Sequence, residues 1–150
     1  MLNSNYKRSN KIVQVDFDVS GQAREIASAI LGSQSSEQRQ KLGDDLLDEL
    51  ADLAEIDIVK LKISEAKQHH RKRDNRLVFK QYGYYKPGAH YIYINNRTAV
   101  RGQILAPKTF LNTLLHEWMH HYDICKLRLD SIHTKGFYLR LNHLQDMLLK

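Results

Sequence analysis

Leu114-Leu115-His116-Glu117-Trp118-Met119-His120-His121-Tyr122-Asp123 organises the reading of this 150-residue chain. The segment contains His-Glu-x-x-His. On a helix, residues four apart share one face, about 6 Å apart along the axis. Two imidazoles so placed can converge on one tetrahedral zinc ion, and Glu117 can reach a water held there. The chain has eight His and six Glu, and a shuffled sequence of that composition would show the pattern about 0.02 times. Leu111, Leu115, Trp118, Met119 and Tyr122 recur at helical spacing and form a core stripe. His116 and His120 project together from a flank about 120° away from it. The spacing predicts a helix from about Lys108 to Lys126, anchored by one face and offering two histidines on another.

A catalytic zinc needs a third protein ligand and an open position. Elimination narrows the choice. The extended metzincin pattern would need Gly at 123 and His at 126, where this chain has Asp123 and Lys126. No Glu follows Glu117, so a later glutamate ligand is excluded. Asp123 shares the face of His116 and His120 but lies about 10 Å along the axis from His116, too far to join both on one ion. Its expected role is to accept the other N–H of a ligand histidine. Cys125 reads as a small buried residue. His143 and Asp146 point away from the core stripe of the last helix (Phe137, Leu141, Leu144, Leu148) and are expected at the surface. His133 and Asp130 remain. His133, just before that helix, is preferred because neutral imidazole is the commoner zinc ligand.

Outward from this segment the chain reads as one α+β domain spanning residues 1–150. Residues 1–18 form a polar lead-in, with Val13-Gln14-Val15-Asp16-Phe17 a brief strand or extended stretch. Ser20 can cap a helix with the stripe Ala23, Ile26, Ala27, Ile30 and Leu31, stopped at Gly32. Ser35 with Gln38 fits a capping box for a second helix burying Leu42, Leu46, Leu50 and Leu53. From about Asp57 the period becomes two. Strands are expected at Val59–Ile63, Arg76–Tyr82 and Ala89–Ile94, in a small, mostly antiparallel sheet. Residues 83–88 read as a connection. The final helix is expected from Lys135 to Leu149.

Charge is unevenly divided. Residues 1–57 carry six Lys/Arg against eleven Asp/Glu, and residues 58–150 carry seventeen against six, within a total of +6. The basic half makes nucleic acid a candidate partner, with Arg71, Lys72, Arg73 and Arg76 the expected phosphate contacts and Arg97, Arg101 and Lys108 further cations. Cys125 is the single cysteine, which excludes an internal disulfide and a multi-cysteine zinc ribbon. No apolar run approaches the roughly 18 residues that span a bilayer, and no signal-peptide pattern opens the chain, so a cytoplasmic address is expected. Asn96-Arg97-Thr98 matches a glycosylation acceptor without a secretory context.

His116-Glu117-Trp118-Met119-His120-His121-Tyr122-Asp123 is followed, with twelve residues between His120 and His133, by His133-Thr134-Lys135-Gly136-Phe137-Tyr138-Leu139-Arg140-Leu141-Asn142. Together with Gly83-Tyr84-Tyr85 and Tyr91-Ile92-Tyr93-Ile94-Asn95, these segments resemble the SprT-like zinc metalloprotease domain, the family of SprT and Spartan. The resemblance runs at motif level over residues 82–149. It implies a zincin-like fold, a Zn2+ cofactor held by His116, His120 and His133, Glu117 as the catalytic acid–base, and protein substrates. The cysteine-rich ribbon found in many such proteins has no counterpart here, so the peptidase core is what the resemblance implies.

The expected activity is therefore zinc-dependent endopeptidase cleavage, in which Glu117 takes a proton from the attacking water and returns it to the leaving amine. His121, Tyr122, Tyr138, Tyr91 and Tyr93 are unranked candidates for stabilising the oxyanion. Tyr91–Ile94, if an edge strand, can pair with an extended substrate. The rival readings are a non-catalytic nucleic-acid-binding module with a structural zinc, and a peptidase dedicated to one partner protein.

Overall fold

The computed structural model describes residues 4–67, 70–73, 76–80, 82–98 and 101–150, and of residues 67, 70–73 and 76–80 it describes backbone alone. Its first element departs from the expected lead-in: Ser4–Lys11 is a helix, α1. It has no apolar stripe to announce it. Polar contacts hold it instead, as Arg8 donates to the carbonyls of Leu127 and Arg128 at 2.7 Å each. It also lies so close to the last helix that a Cβ at Gly136 would collide with the Ser9 carbonyl.

The two expected N-terminal helices follow. Ser20 accepts from the Ala23 N–H to start α2 (Gly21–Leu31), and Gly32 ends it. Ser35 accepts from the Gln38 N–H to start α3 (Ser36–Ala54). The Gln38 side chain reaches back to the N–H of Gln34, one residue before the cap.

Among the described residues five strands succeed them: β1 (Lys60–Lys67), β2 (His70–Arg73), β3 (Arg76–Lys80), β4 (Gly83–Lys86) and β5 (Tyr91–Arg97). The main sheet has the order β1-β5-β4. It is mixed, not mostly antiparallel. β1 runs parallel to β5, with Leu61 opposite Ile92 and Ile63 opposite Ile94, while β4 is antiparallel to β5, with Tyr85 opposite Ile92. Two further expectations are corrected. Residues 76–80 stay out of this sheet and pair with His70–Arg73 as a separate two-stranded ribbon. The presumed connection at 83–88 supplies the third strand instead. Alternation explains it: Tyr84 stacks on Tyr93 across the pair at 5.1 Å on one face, and Tyr85 turns to the other. Gly83 suits this strand because a Cβ there would stand 2.7 Å from the Tyr93 carbonyl oxygen.

α4 (Pro107–Cys125) begins with a proline, whose fixed φ suits the first helical turn. α5 (Lys135–Leu149) is capped by Thr134, which accepts from the Phe137 N–H. The stripe read from the sequence is buried throughout: Leu111, Leu115, Trp118, Met119 and Tyr122 have no exposed surface. They join Ile92, Ile94, Leu46 and Leu50 in one core, each such side chain contributing roughly 1.5–3 kcal/mol. α4 thus lies on β4 and β5, with α2 and α5 packed beside it and α3 on β1. Asn96 is also buried, accepting from Arg39 Nη1 at 2.7 Å, which removes it as a glycosylation acceptor. Among the described residues no helix is long and apolar enough to cross a membrane.

Candidate metal centre

His116 and His120 stand one turn apart on α4, and the loop between α4 and α5 brings His133 to them. His133 Nε2 lies 3.1 Å from His116 Nε2 and 3.0 Å from His120 Nε2. The three residues can hold a metal ion. Phe137, on the first turn of α5, packs against all three rings, with centroids 5.1 Å from His116, 4.7 Å from His120 and 5.2 Å from His133. The sequence marked Phe137 as core; its part in setting the imidazoles emerges only in the fold.

The loop carrying His133 is tied down at several points. Arg128 and Ser131 adopt left-handed backbone at φ 56° and 58°. The N–H of Asp130 donates to Asn5 Oδ1 at 2.7 Å, and the hydroxyls of Ser9 and Thr134 meet at 2.7 Å. With the Arg8 contacts, α1 acts as a strap over the segment 127–134. Asp130 lines the neighbouring cleft without joining the three histidines, so His133 is the residue brought to the pair.

Asp123 does not touch a ligand histidine directly, which corrects the expected contact. Ser131 intervenes: its hydroxyl lies 2.7 Å from His120 Nδ1 and donates to Asp123 Oδ2 at 3.2 Å. Arg140 Nε and Nη2 donate to Asp123 Oδ1 and Oδ2 at 3.1 and 2.8 Å. Burial raises the Asp123 pKa, opposed by Arg140 and Ser131. With donors aimed at both oxygens, a proton on either would face another donor, so the carboxylate is the form that fits. Ser131 then spends its proton on Asp123 and accepts from His120 Nδ1–H. That fixes the tautomer and leaves His120 Nε2 bare toward the other two histidines. Arg140 and Ser131 were not singled out from sequence; the available signal was an aspartate on the histidine face that needed a partner.

Electrostatics favour ligand forms. Burial, then repulsion from neighbouring imidazoles, lowers His116 and His120 to about 4, so both are neutral at pH 7. Burial raises Glu117 to about 7. Glu117 and the three histidines line a cleft of about 630 Å3, walled on its far side by Tyr82, Gly83, Tyr84 and Tyr85 of the β4 segment.

The oxyanion candidates now separate. Tyr138 is 44% exposed, and its ring lies 6.2 Å from His116 and 5.8 Å from His133. Tyr122 is buried and donates to Asp16. His121 faces Tyr85 and Asp57. Tyr91 and Tyr93 pack beside Tyr84 in the sheet. The expectation that Tyr91–Ile94 forms an edge also fails, because β5 is central and β4 is the outer strand beside the cleft.

His143 is half-buried and accepts from the Val15 N–H at 3.1 Å, while Asp146 is exposed. The side chains of Arg71, Lys72, Arg73 and Arg76 lie outside the described residues; their backbone belongs to the β2–β3 ribbon. Arg97 is paired with Glu65 at 2.8 Å, and Arg101 and Lys108 are exposed. No protein-family model, no curated protein and no solved structure matches this chain.

Proposed function

We propose that this chain is a zinc-dependent endopeptidase of zincin-like, SprT-like type. One observation carries the reading: the His133 nitrogen lies 3.0–3.1 Å from those of His116 and His120, all three within 4.8 Å of one another, beside a half-buried carboxyl at the floor of a cleft. Metal–nitrogen bonds of 2.0–2.1 Å in a tetrahedron put neighbouring nitrogens about 3.3 Å apart, so the donor set fits zinc with a small expansion. Zinc held by His116, His120 and His133 supplies a Lewis acid and a water of lowered pKa.

The chain's own groups do the rest. Glu117, as carboxylate, takes the proton of the attacking water and passes it to the leaving amine nitrogen. Of the oxyanion candidates, Tyr138 is the one that is exposed with its ring beside His116 and His133, and its hydroxyl is assigned as the donor to the developing oxyanion. β4, a short outer strand beside the cleft, offers backbone N–H and C=O groups to an extended peptide, which gives affinity without strong sequence selectivity.

The test uses zinc-loaded protein and an unfolded protein substrate such as casein. Cleavage is expected in the wild type and lost in Glu117→Gln with zinc content unchanged. A Glu117→Gln protein that still cleaves would overturn the mechanism. A wild type that cleaves nothing, yet binds DNA with steep salt dependence, would favour the nucleic-acid-binding reading. Trapping of a single protein by Glu117→Gln would identify a dedicated partner.

A further inference from the structure

Helix α4 carries the metal-ligand spacing twice. His116 and His120 make the first pair; His121 and Cys125, also four apart, make a second that projects about 140° around the axis. This second pair faces the β4–β5 turn, where His90 sits at φ 47°. Cys125 Sγ lies 3.6 Å from His121 Nδ1 and 3.9 Å from His90 Nε2, and the His90 and His121 ring centroids are 5.0 Å apart.

We propose that His90, His121 and Cys125 form a second metal site, which takes a zinc-type cation through Nε2, Nδ1 and Sγ. Metal–sulfur and metal–nitrogen bonds of 2.3 and 2.0–2.1 Å in a tetrahedron place sulfur and nitrogen about 3.5–3.6 Å apart. The 3.6 Å separation meets that value and the 3.9 Å one needs a slightly wider angle. The tautomer is already set. His121 Nε2 lies 2.7 Å from the Asp57 carbonyl, an acceptor, so Nε2 carries the proton and Nδ1 is bare toward the sulfur. Ligand histidines are held in this way by backbone carbonyls.

Nδ1 accepts from the Tyr85 hydroxyl at 2.8 Å. A bound cation displaces that hydrogen bond and leaves the phenolic oxygen beside the fourth position. Thiolate and imidazole together select zinc-type ions over calcium or magnesium. Burial raises the Cys125 thiol pKa, so the thiol is protonated at rest and releases its proton to solvent when the cation binds.

The site has a structural role. Cys125 and His121 belong to α4, and His90 closes the β4–β5 turn. An ion shared among them clamps β4, the outer wall of the cleft, onto the helix that carries His116 and His120. The clamp works whether or not the three-histidine centre is loaded.

Equilibrium dialysis against zinc, followed by elemental analysis, tests it. The wild type should hold two equivalents, and Cys125→Ala and His90→Asn one each. Asn tolerates the left-handed turn, so His90→Asn removes the ligand while sparing the fold. The triple variant His116→Ala/His120→Ala/His133→Ala should retain one equivalent. Its cobalt(II) form should show a sulfur-to-metal charge-transfer band that disappears with Cys125→Ala. One equivalent in the wild type, lost in Cys125→Ala and kept in the triple variant, would support this site and count against the three-histidine centre. A wild type with one equivalent that Cys125→Ala keeps, a Cys125→Ala protein that still holds two, or a triple variant with no zinc and no thiolate band would overturn the proposal.

Discussion

The Asp123 carboxylate meets the Arg140 guanidinium at 2.8 Å with neither side chain exposed to solvent. The same guanidinium donates through Nη1 to the carbonyls of Ser9 and Ile12 at 2.7 and 2.6 Å. One buried cation therefore joins α1, α4 and α5 and, through Asp123 and Ser131, fixes His120. Removing one partner leaves an uncompensated buried charge, which costs about 3–5 kcal/mol. Arg140→Met should destabilise the fold by that order in urea denaturation. Arg140→Met/Asp123→Leu should lose less than the sum of the two single variants, and strict additivity would show that the pair is not coupled.

Ser131→Ala removes the link between His120 Nδ1 and Asp123 while leaving all three candidate ligands in place. Metal affinity should fall roughly 10–100-fold, measured by competition with a chromophoric chelator. His133→Ala should lose more, since it deletes a donor. An unchanged affinity in Ser131→Ala would show that the tautomer is not set by this relay.

Metal-free stability should depend on pH in two opposing ways. His116 and His120 titrate near 4 when folded, below their ordinary 6.5. Their contribution is complete above pH 6.5 and is lost as pH falls toward 4. Glu117 titrates near 7 when folded, above its ordinary 4.5, so its contribution is present below pH 4.5 and is lost as pH rises through 7. Glu117→Gln should therefore melt higher than the wild type at pH 8 without metal, and the gap should close by pH 4.5. A gap of equal size at both values would contradict the burial of this carboxyl.

The same carboxyl should set the acid limb of activity. As the proposed general base it must be ionised, so kcat/KM should fall with decreasing pH at or below about 7, because a bound cation can only lower the value near 7 that burial sets. An activity rising with acidity in this range would assign the base elsewhere.

Gly136→Ala should cost at least about 1–3 kcal/mol by overpacking, since its Cβ has no room beside the Ser9 carbonyl. Because α1 straps the segment that carries His133, this variant should also weaken metal binding. Thermal melting and chelator competition would show both effects together. A neutral substitution would mean that α1 does not dock there.

Much of this protein is legible one residue at a time. Ser20, Ser35 and Thr134 each accept a backbone N–H three residues on, which is local chemistry. The stripe from Leu111 to Tyr122 declares α4 by its period, and the two histidines on its flank follow from the same geometry. Elements held by distant partners were not legible. α1 has no apolar period and owes its place to Arg8, Asn10 and Arg140 contacts more than a hundred residues away in sequence. The strand at Gly83–Lys86 is short and looked like a connection until β5 paired with it, and the parallel register of β1 depends on where β5 lies between its neighbours. The spacing of side chains along one helix determined where a metal could be held. Which third histidine reaches it, what fixes the tautomer of His120, and the meeting of Cys125 with His90 were decided by tertiary packing, because those contacts join segments that no local period relates.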